Sequence, residues 1–520
     1  MKVLLHVTNS SVTETELKLS IDPKKLKDIS SVIPAGWEMA KPKARKLINT
    51  YYDTDDLRFL KAGCSLRVRE TGGRFIQTIK SDSGSDVLHR RLEQNRELTD
   101  NRITAPTIDD PKLAEQIGFL FPDDLVMIFS NQFERRSMEL TCTDTGTLVE
   151  VAFDKGVVRS GRQQQPFAEV EIELLEGKPA DLYRLAQQFL ESGPLYLSGE
   201  TKSSRGYRLA RDILPDYRLA GAPVLEADIS IGAAMRTIFK DCFGQWMANQ
   251  AALLSDHDPE AVHQMRVALR RFRSALSLLS DYLPEAEASR IEREVRWIAD
   301  VLGPARDLDV FMGEILTGTA DGALTPDILE PLRDAAGAAR NRRRAVMRRA
   351  LTSRRYTSAA LSIGLWIETL GTIGLPDKAT STEVSQVSNR VLTAQWQRVL
   401  KRGKKFESLD YDSRHLVRIA LKKLRYANEF FRSLYKRDKA RSYGRKLSGL
   451  QDDLGFMNDV AMSMQLCEDL CRADPENASL AAARGFLLGW QQYRLHHDDA
   501  GMVAHWRAFE RAKPYWETGE

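Results

Sequence analysis

The stretch "TETELKLS", Thr13–Ser20, sets Glu14, Glu16 and Lys18 at alternate positions, with Leu17 and Leu19 flanking the last of them. In a strand successive side chains point to opposite faces, so the three charges would share one face. The same period-two grammar runs through the first 210 residues, in "CSLRVRE", "RFIQTIKS", "TLVEVAFD" and "AEVEIELLEG", separated by Gly, Asp and Asn turns. Charged residues recur at same-face positions: Arg67 and Arg69; Lys80; Arg91 and Glu93; Glu150 and Asp154; Glu169, Glu171 and Glu173. An ordinary sandwich with one solvated face would show this alternation on any one strand. Repetition over at least six strands, with apolar residues between, favours a sheet closed into a barrel with its charged face inward.

A lumen of that kind must neutralise itself, because a buried unpaired charge costs several kcal/mol. Clustered carboxylates without soft donors suit a hard divalent cation such as Mg²⁺ or Mn²⁺. Arginines and lysines facing the same space suit phosphate oxygens, which Arg holds bidentately. The sequence thus predicts a metal-dependent site for a chain of phosphates, and no Ser, Cys or His nucleophile constellation competes with it.

The ordered set "ETELK", "YYDT" (Tyr51–Thr54), "LRVR" (Leu66–Arg69), "TIK" (Thr78–Lys80), "RLE" (Arg91–Glu93), "FERR" (Phe133–Arg136), "EVAFDKG" (Glu150–Gly156), "EVEIEL" (Glu169–Leu174) and "KSSRGY" (Lys202–Tyr207) resembles the CYTH domains, the triphosphate tunnel metalloenzymes. The resemblance implies that Glu14, Glu16, Glu169 and Glu171 bind the metal. It implies that Lys18, Arg67, Arg69, Lys80, Arg91, Arg135, Lys202 and Arg205 bind the triphosphate. Lys18, Glu93, Asp154 and Glu173 would serve catalysis, the three acids by holding a second metal or orienting water. Arg136 and Lys155 have the opposite parity and are left out. The signature begins thirteen residues in, and the residues before it would cover a tunnel mouth.

Beyond about residue 230 the period becomes helical. Val262, Met265, Leu269, Phe272, Leu276 and Leu279 form one apolar stripe, with His263, Arg266, Arg270 and Arg273 beside it. "HQMRVALRRFRSA" at His263 matches "HLVRIALKKLRYA" at His415, 152 residues on, and "LGPARDLD" at Leu302 meets "LGFMNDVA" at Leu454 in the same register. The second copy repeats the stripe with Val417, Leu421, Leu424 and Phe431, flanked by His415, Arg418, Lys422 and Arg425. Asn458 takes the place of Arg306, and Asn428 that of Leu276. Two symmetric basic faces can converge on one axis and sum their fields. These motifs resemble the CHAD domain, which implies paired helical bundles around a basic channel for inorganic polyphosphate. His263, Arg266, Arg270, Arg273, His415, Arg418, Lys422 and Arg425 would line that channel.

Composition agrees with this division. Of 520 residues, 42% are hydrophobic and 28% charged, with no run approaching a membrane span. The net charge of +4 splits into −1 over residues 1–225 and +5 over 226–520. Eight arginines lie between Arg340 and Arg355, a field for a polyanion, but without the aromatic interleaving or motif of a nucleic-acid binder. Five scattered cysteines without CxxC spacing argue against a zinc site, and the N-terminus lacks a secretory h-region. The expectation is a multidomain α and β protein: an N-terminal antiparallel β-tunnel barrel (residues 1–212), a linker (213–229), and an all-α domain (230–515) of two pseudo-symmetric helical bundles, about 230–370 and 383–515. The expected activity is metal-dependent hydrolysis of inorganic triphosphate to pyrophosphate and phosphate, in the cytoplasm or at polyphosphate granules. Thiamine or nucleoside triphosphatase, adenylate cyclase and a non-catalytic polyphosphate scaffold are the alternatives.

Overall fold

Strand pairing in the computed structural model closes on itself. The structure describes residues 11–81, 88–197, 200–255, 258–320, 326–371, 375–497 and 499–517, so the segment before the first signature lies outside the described residues. The strands are β1 (Ser11–Ser20), β2 (Trp37–Met39), β3 (Lys43–Asp53), β4 (Cys64–Thr71), β5 (Arg74–Ser81), β6 (His89–Leu98), β7 (Val126–Cys142), β8 (Leu148–Ser160), β9 (Gln163–Glu176) and β10 (Tyr196–Leu197). Their order is β1-β6-β5-β4-β3-β7-β8-β9, and β9 pairs back onto β1, giving an eight-stranded antiparallel barrel. β2 extends the sheet beside β7, and β10 extends it beside the end of β1. The β4–β5 hairpin turns on Gly72 and Gly73, both at positive φ, the backbone a two-residue type I′ turn demands.

The barrel inverts the usual arrangement. Its outward faces carry the apolar set Leu17, Leu19, Val149, Val151, Phe153, Val170 and Ile172, all buried. The amphipathic helix Pro179–Ser192 lies over β1 and β9 and buries Leu182, Leu185, Ala186 and Phe189. Each of the Leu and Phe side chains contributes about 1.5–3 kcal/mol on burial. With the apolar faces turned out to this cover, parity sends the charged faces into the lumen.

Chain contacts define two compact units. One comprises Met1–Arg218, Phe243–Ala261 and Leu351–Thr369; the other comprises Leu219–Cys242, Val262–Ala350 and Leu370–Glu520. In the second unit the helices obey the sequence repeat. Pro259–Leu278 answers to Tyr411–Phe431, the 3₁₀ turn Ser280–Tyr282 to Arg432–Leu434, and Glu285–Val310 to Arg437–Ala473, each pair starting 152 residues apart. Every residue of the two apolar stripes is buried. Asn428, which breaks the second stripe, is buried as well and accepts the Tyr515 hydroxyl at 2.7 Å, so its polarity is satisfied by the C-terminal segment. No helix among the described residues is long and apolar enough to cross a membrane, and the five cysteines are thiols outside any disulfide.

Candidate active site

Register brings the inward charges together. Lys18 on β1 stands opposite Glu171 on β9, Glu16 opposite Glu173, and Arg135 on β7 opposite Asp154 on β8, which in turn faces Glu169. Among the described residues two ion clusters result, and Lys18 joins them.

In the first, the Lys80 ammonium bonds Glu14 and lies 3.3 Å from Glu93 and 3.8 Å from Glu16, with Arg67 3.7 Å from Glu93. In the second, the Lys202 ammonium bonds Glu169, and lies 2.7 Å from Asp154 and 3.0 Å from Glu171. Arg135 grips Asp154 bidentately, at 2.8 and 2.7 Å, and reaches Glu171 at 2.5 Å. Lys18 bridges the two groups, 3.2 Å from Glu16 and 2.9 Å from Glu171. Lys202 and Arg205 come from the helix Lys202–Arg211, capped by the Thr201 side chain on the Ser204 amide. Lys202 lies over the rings of Phe133 and Phe167, and Arg205 over Phe167.

Burial and charge divide the acids into two kinds. Burial, acting against Lys80, pushes Glu14 up to about 7. Burial together with the Glu14 charge pushes Glu173 up to about 8. Glu171 resists burial because Lys18, Lys202 and Arg135 surround it, and it stays well below the usual carboxylate range. Arg69, buried beside Arg67 and Arg135, drops to about 10.

Asp154, Glu169 and Glu171 are all buried and each offers an oxygen within 4.8 Å of the other two. The donors are hard oxygens, and the Lys202 ammonium among them shows that the local field favours a cation. The triad can therefore hold a hard metal ion. The structure thus places Glu169 and Glu171 with Asp154, and gathers Glu14 and Glu16 around Lys80. The side chain of Arg91 lies outside the described residues; its backbone pairs with Glu14. Sequence reasoning missed Asn49 and Asn131, fully buried, bonded to each other at 2.7 Å, with Asn49 accepting from Arg69 at 2.9 Å. Asparagine inside a strand reads as a solvated face, and only closure buries it. Arg136 points outward to Ser30, as its parity predicts.

In the helical unit, the charges of Arg306, Arg270, Arg266 and Arg425 act on His263, those of Arg418, Arg270 and Arg425 on Lys422, and that of Arg270 on Arg418. The two copies therefore share one basic field. Burial and the Arg306, Arg270, Arg266 and Arg425 charges depress His263 to about 4, leaving a neutral ring at pH 7. Burial, then Arg418 and Arg270, lower Lys422 to about 7. Arg266 spends one donor on the Ala299 carbonyl, Arg273 lies 3.6 Å from Glu292, and the His415 ring stacks on Tyr411. The pseudo-symmetric Asp307 and Asp459, also within this field, were not singled out from sequence.

A family model described as CYTH domain matches residues 13–207, and one described as CHAD domain matches residues 237–468. Among curated proteins, the chain is 30% identical over 212 residues to an inorganic triphosphatase of Haemophilus influenzae, an alignment covering 40% of this chain and 58% of that one. It is 28% identical over 293 residues to an uncharacterized protein of Mycobacterium tuberculosis, covering 52% of each. The chain thus spans about half the length of these curated relatives. Among solved structures, the CHAD domain from the plant Ricinus communis is similar at 31% identity and TM-score 0.48, covering 56% of this chain and 97% of that chain.

Proposed function

Since the chain carries a CYTH domain over residues 13–207 and a CHAD domain over residues 237–468, we propose that its barrel hydrolyses inorganic triphosphate to pyrophosphate and phosphate with Mg²⁺ or Mn²⁺, while its helical unit holds inorganic polyphosphate. The observation that carries this reading is the enclosed lumen in which buried Lys202 and partly buried Arg135 converge on the buried oxygen triad of Asp154, Glu169 and Glu171. A purely anion-binding lumen has no need of such a triad. The triad would hold the metal, with Glu14 and Glu16 available from the cluster around Lys80. A divalent cation there would supply Lewis-acid polarisation of phosphate oxygens and activation of water.

The chain's own residues do the rest. Lys18, Arg67, Arg69, Lys80, Arg135, Lys202 and Arg205 would grip the phosphate oxygens and stabilise charge as it shifts toward the departing pyrophosphate. Glu93, Asp154 and Glu173 face the same lumen, and Glu173, raised to about 8, is suited to hold or accept a proton near neutral pH. Inorganic substrate is favoured over a nucleotide because the lumen rings Phe133 and Phe167 are covered by Lys202 and Arg205 rather than open to stack a base. The test is phosphate release by the full chain from tripolyphosphate, ATP, thiamine triphosphate and long-chain polyphosphate with Mg²⁺ or Mn²⁺. Preference for tripolyphosphate supports the reading, and preference for an organic triphosphate reassigns the substrate.

For the helical unit, the shared field of Arg270, Arg418, Lys422 and Arg425 supports a polyanion site. Basic side chains of this kind neutralise phosphates without reading bases, which suits a chain of phosphates.

A further inference from the structure

The helix Lys202–Arg211 brings two lumen cations, yet at ten residues it is too short to hold its own shape or place. Asp212, at its C-cap, turns left-handed at φ 54°, and residues 213–226 that follow carry no helix or strand. Its placement must come from contacts with the barrel. Gly206 is one: a Cβ there would collide with the Phe129 ring, which itself stacks on Tyr51. Arg208 is another, through Glu200 and Gln165, but it is partly exposed and its pairings are screened.

The Lys202 ion pairs with Asp154, Glu169 and Glu171 also join the helix to the barrel, but they belong to the site itself; the remaining contact is of a different kind. Tyr207 is buried, and its hydroxyl donates to Asp53 Oδ2 at 2.7 Å across 154 residues of sequence. Asp53 has no exposed surface. Its Oδ1 accepts the amides of Thr54 and Phe59, at 2.8 and 2.9 Å, and its Oδ2 accepts the Leu60 amide at 3.1 Å. The carboxylate is therefore fixed by three backbone donors at the end of β3 and the start of the short helix Arg58–Lys61. Among the described residues Tyr207 is the one side chain bonded to it, and it comes from the element that carries Lys202 and Arg205. An O–H donated to a fully buried carboxylate is directional, and leaving such a group without its partner is costly.

We propose that the Asp53–Tyr207 hydrogen bond is the tether that sets helix Lys202–Arg211 against the barrel, making both residues positioning residues for phosphate binding by Lys202 and Arg205. The proposal rests on the triphosphatase reading for its substrate, and on geometry alone for the tether. Tyr207 sits five residues beyond Lys202, about 7.5 Å along the axis, so slack at the hydroxyl becomes misplacement of the ammonium by a comparable angle. Because Lys202 and Arg205 would both bind the phosphates and stabilise the shifting charge, their misplacement lowers kcat/KM.

The experiment uses the full chain with Tyr207→Phe, which keeps the ring against Phe129 and removes only the hydroxyl, and with Asp53→Asn. Two readouts are taken. Amide hydrogen exchange is expected to rise about tenfold in residues 203–211 of Tyr207→Phe while β7 to β9 keep wild-type rates. The kcat/KM for tripolyphosphate is expected to fall about tenfold, and the double variant is expected to be no worse than the weaker single. Unchanged exchange in the helix overturns the tether whatever the activity. Faster exchange with unchanged kcat/KM overturns the positioning role. No turnover of tripolyphosphate by the wild type contradicts the activity reading, and hydrogen exchange still decides the tether.

Discussion

The ammonium of Lys202 stands 2.7 Å from Oδ2 of Asp154, a carboxylate with no exposed surface. Removing one partner of a buried pair leaves an uncompensated charge and typically costs about 3–5 kcal/mol. Lys202→Met should therefore lower the melting temperature of the barrel markedly. The lost cation should be partly replaceable, so added Mn²⁺ should recover more stability in Lys202→Met than in the wild type. Equal shifts in both would argue that the triad does not take the metal.

Arg135 and Arg136 are neighbours of opposite parity. Arg135 grips Asp154 and Glu171 in the lumen, whereas Arg136 turns outward to Ser30. Arg135→Ala should cut kcat/KM for tripolyphosphate by about a hundredfold or more, as loss of a preorganised charged donor does. Arg136→Ala should stay within about twofold. Comparable losses in the two variants would contradict an inward-facing site.

Lys422 is depressed to about 7 by burial and by Arg418 and Arg270, with Arg425 adding to the effect and Asp459 opposing it. Its ammonium is present below pH 7 and lost as pH rises through that value. A bound polyanion favours the charged form and raises the pKa, so polyphosphate binding at pH 8 should take up protons. Calorimetry at pH 8 in buffers of unlike ionisation enthalpy measures the uptake, and Lys422→Met should reduce it. An uptake unaltered in that variant would place the polyanion elsewhere.

Arg270 and Arg418 lie on the paired helices Pro259–Leu278 and Tyr411–Phe431, in a common field. Each phosphate they neutralise releases counterions on binding. Arg270→Ala with Arg418→Ala should flatten the log–log salt dependence of polyphosphate affinity by about one to two units. An unchanged slope would rule out the shared basic face.

Strand parity was legible because the side-chain period is two, and a lumen of charges leaves an unmistakable alternation in "TETELKLS" and "EVEIEL". The helical repeat was legible for a similar reason, since paired helices begin 152 residues apart. Partner choice inside the lumen was not. Parity alone does not tell whether Glu14 meets Glu169 or Lys80; that depends on register across the β1–β9 closure, where Glu16 meets Glu173 and Lys18 meets Glu171. Asp53 and Tyr207 stood in quoted motifs without a role, because a bond spanning 154 residues has no local signature.

The central claim is that the barrel cleaves triphosphate through a metal held by its buried carboxylates. Its most direct test is phosphate release from tripolyphosphate by the full chain and by Glu169→Gln, each with and without Mg²⁺ or Mn²⁺. Glu169 is buried in the triad, so the account predicts release of one phosphate per tripolyphosphate that requires the metal and falls at least about a hundredfold in the variant. Release that needs no divalent cation, or that survives in Glu169→Gln, would contradict it.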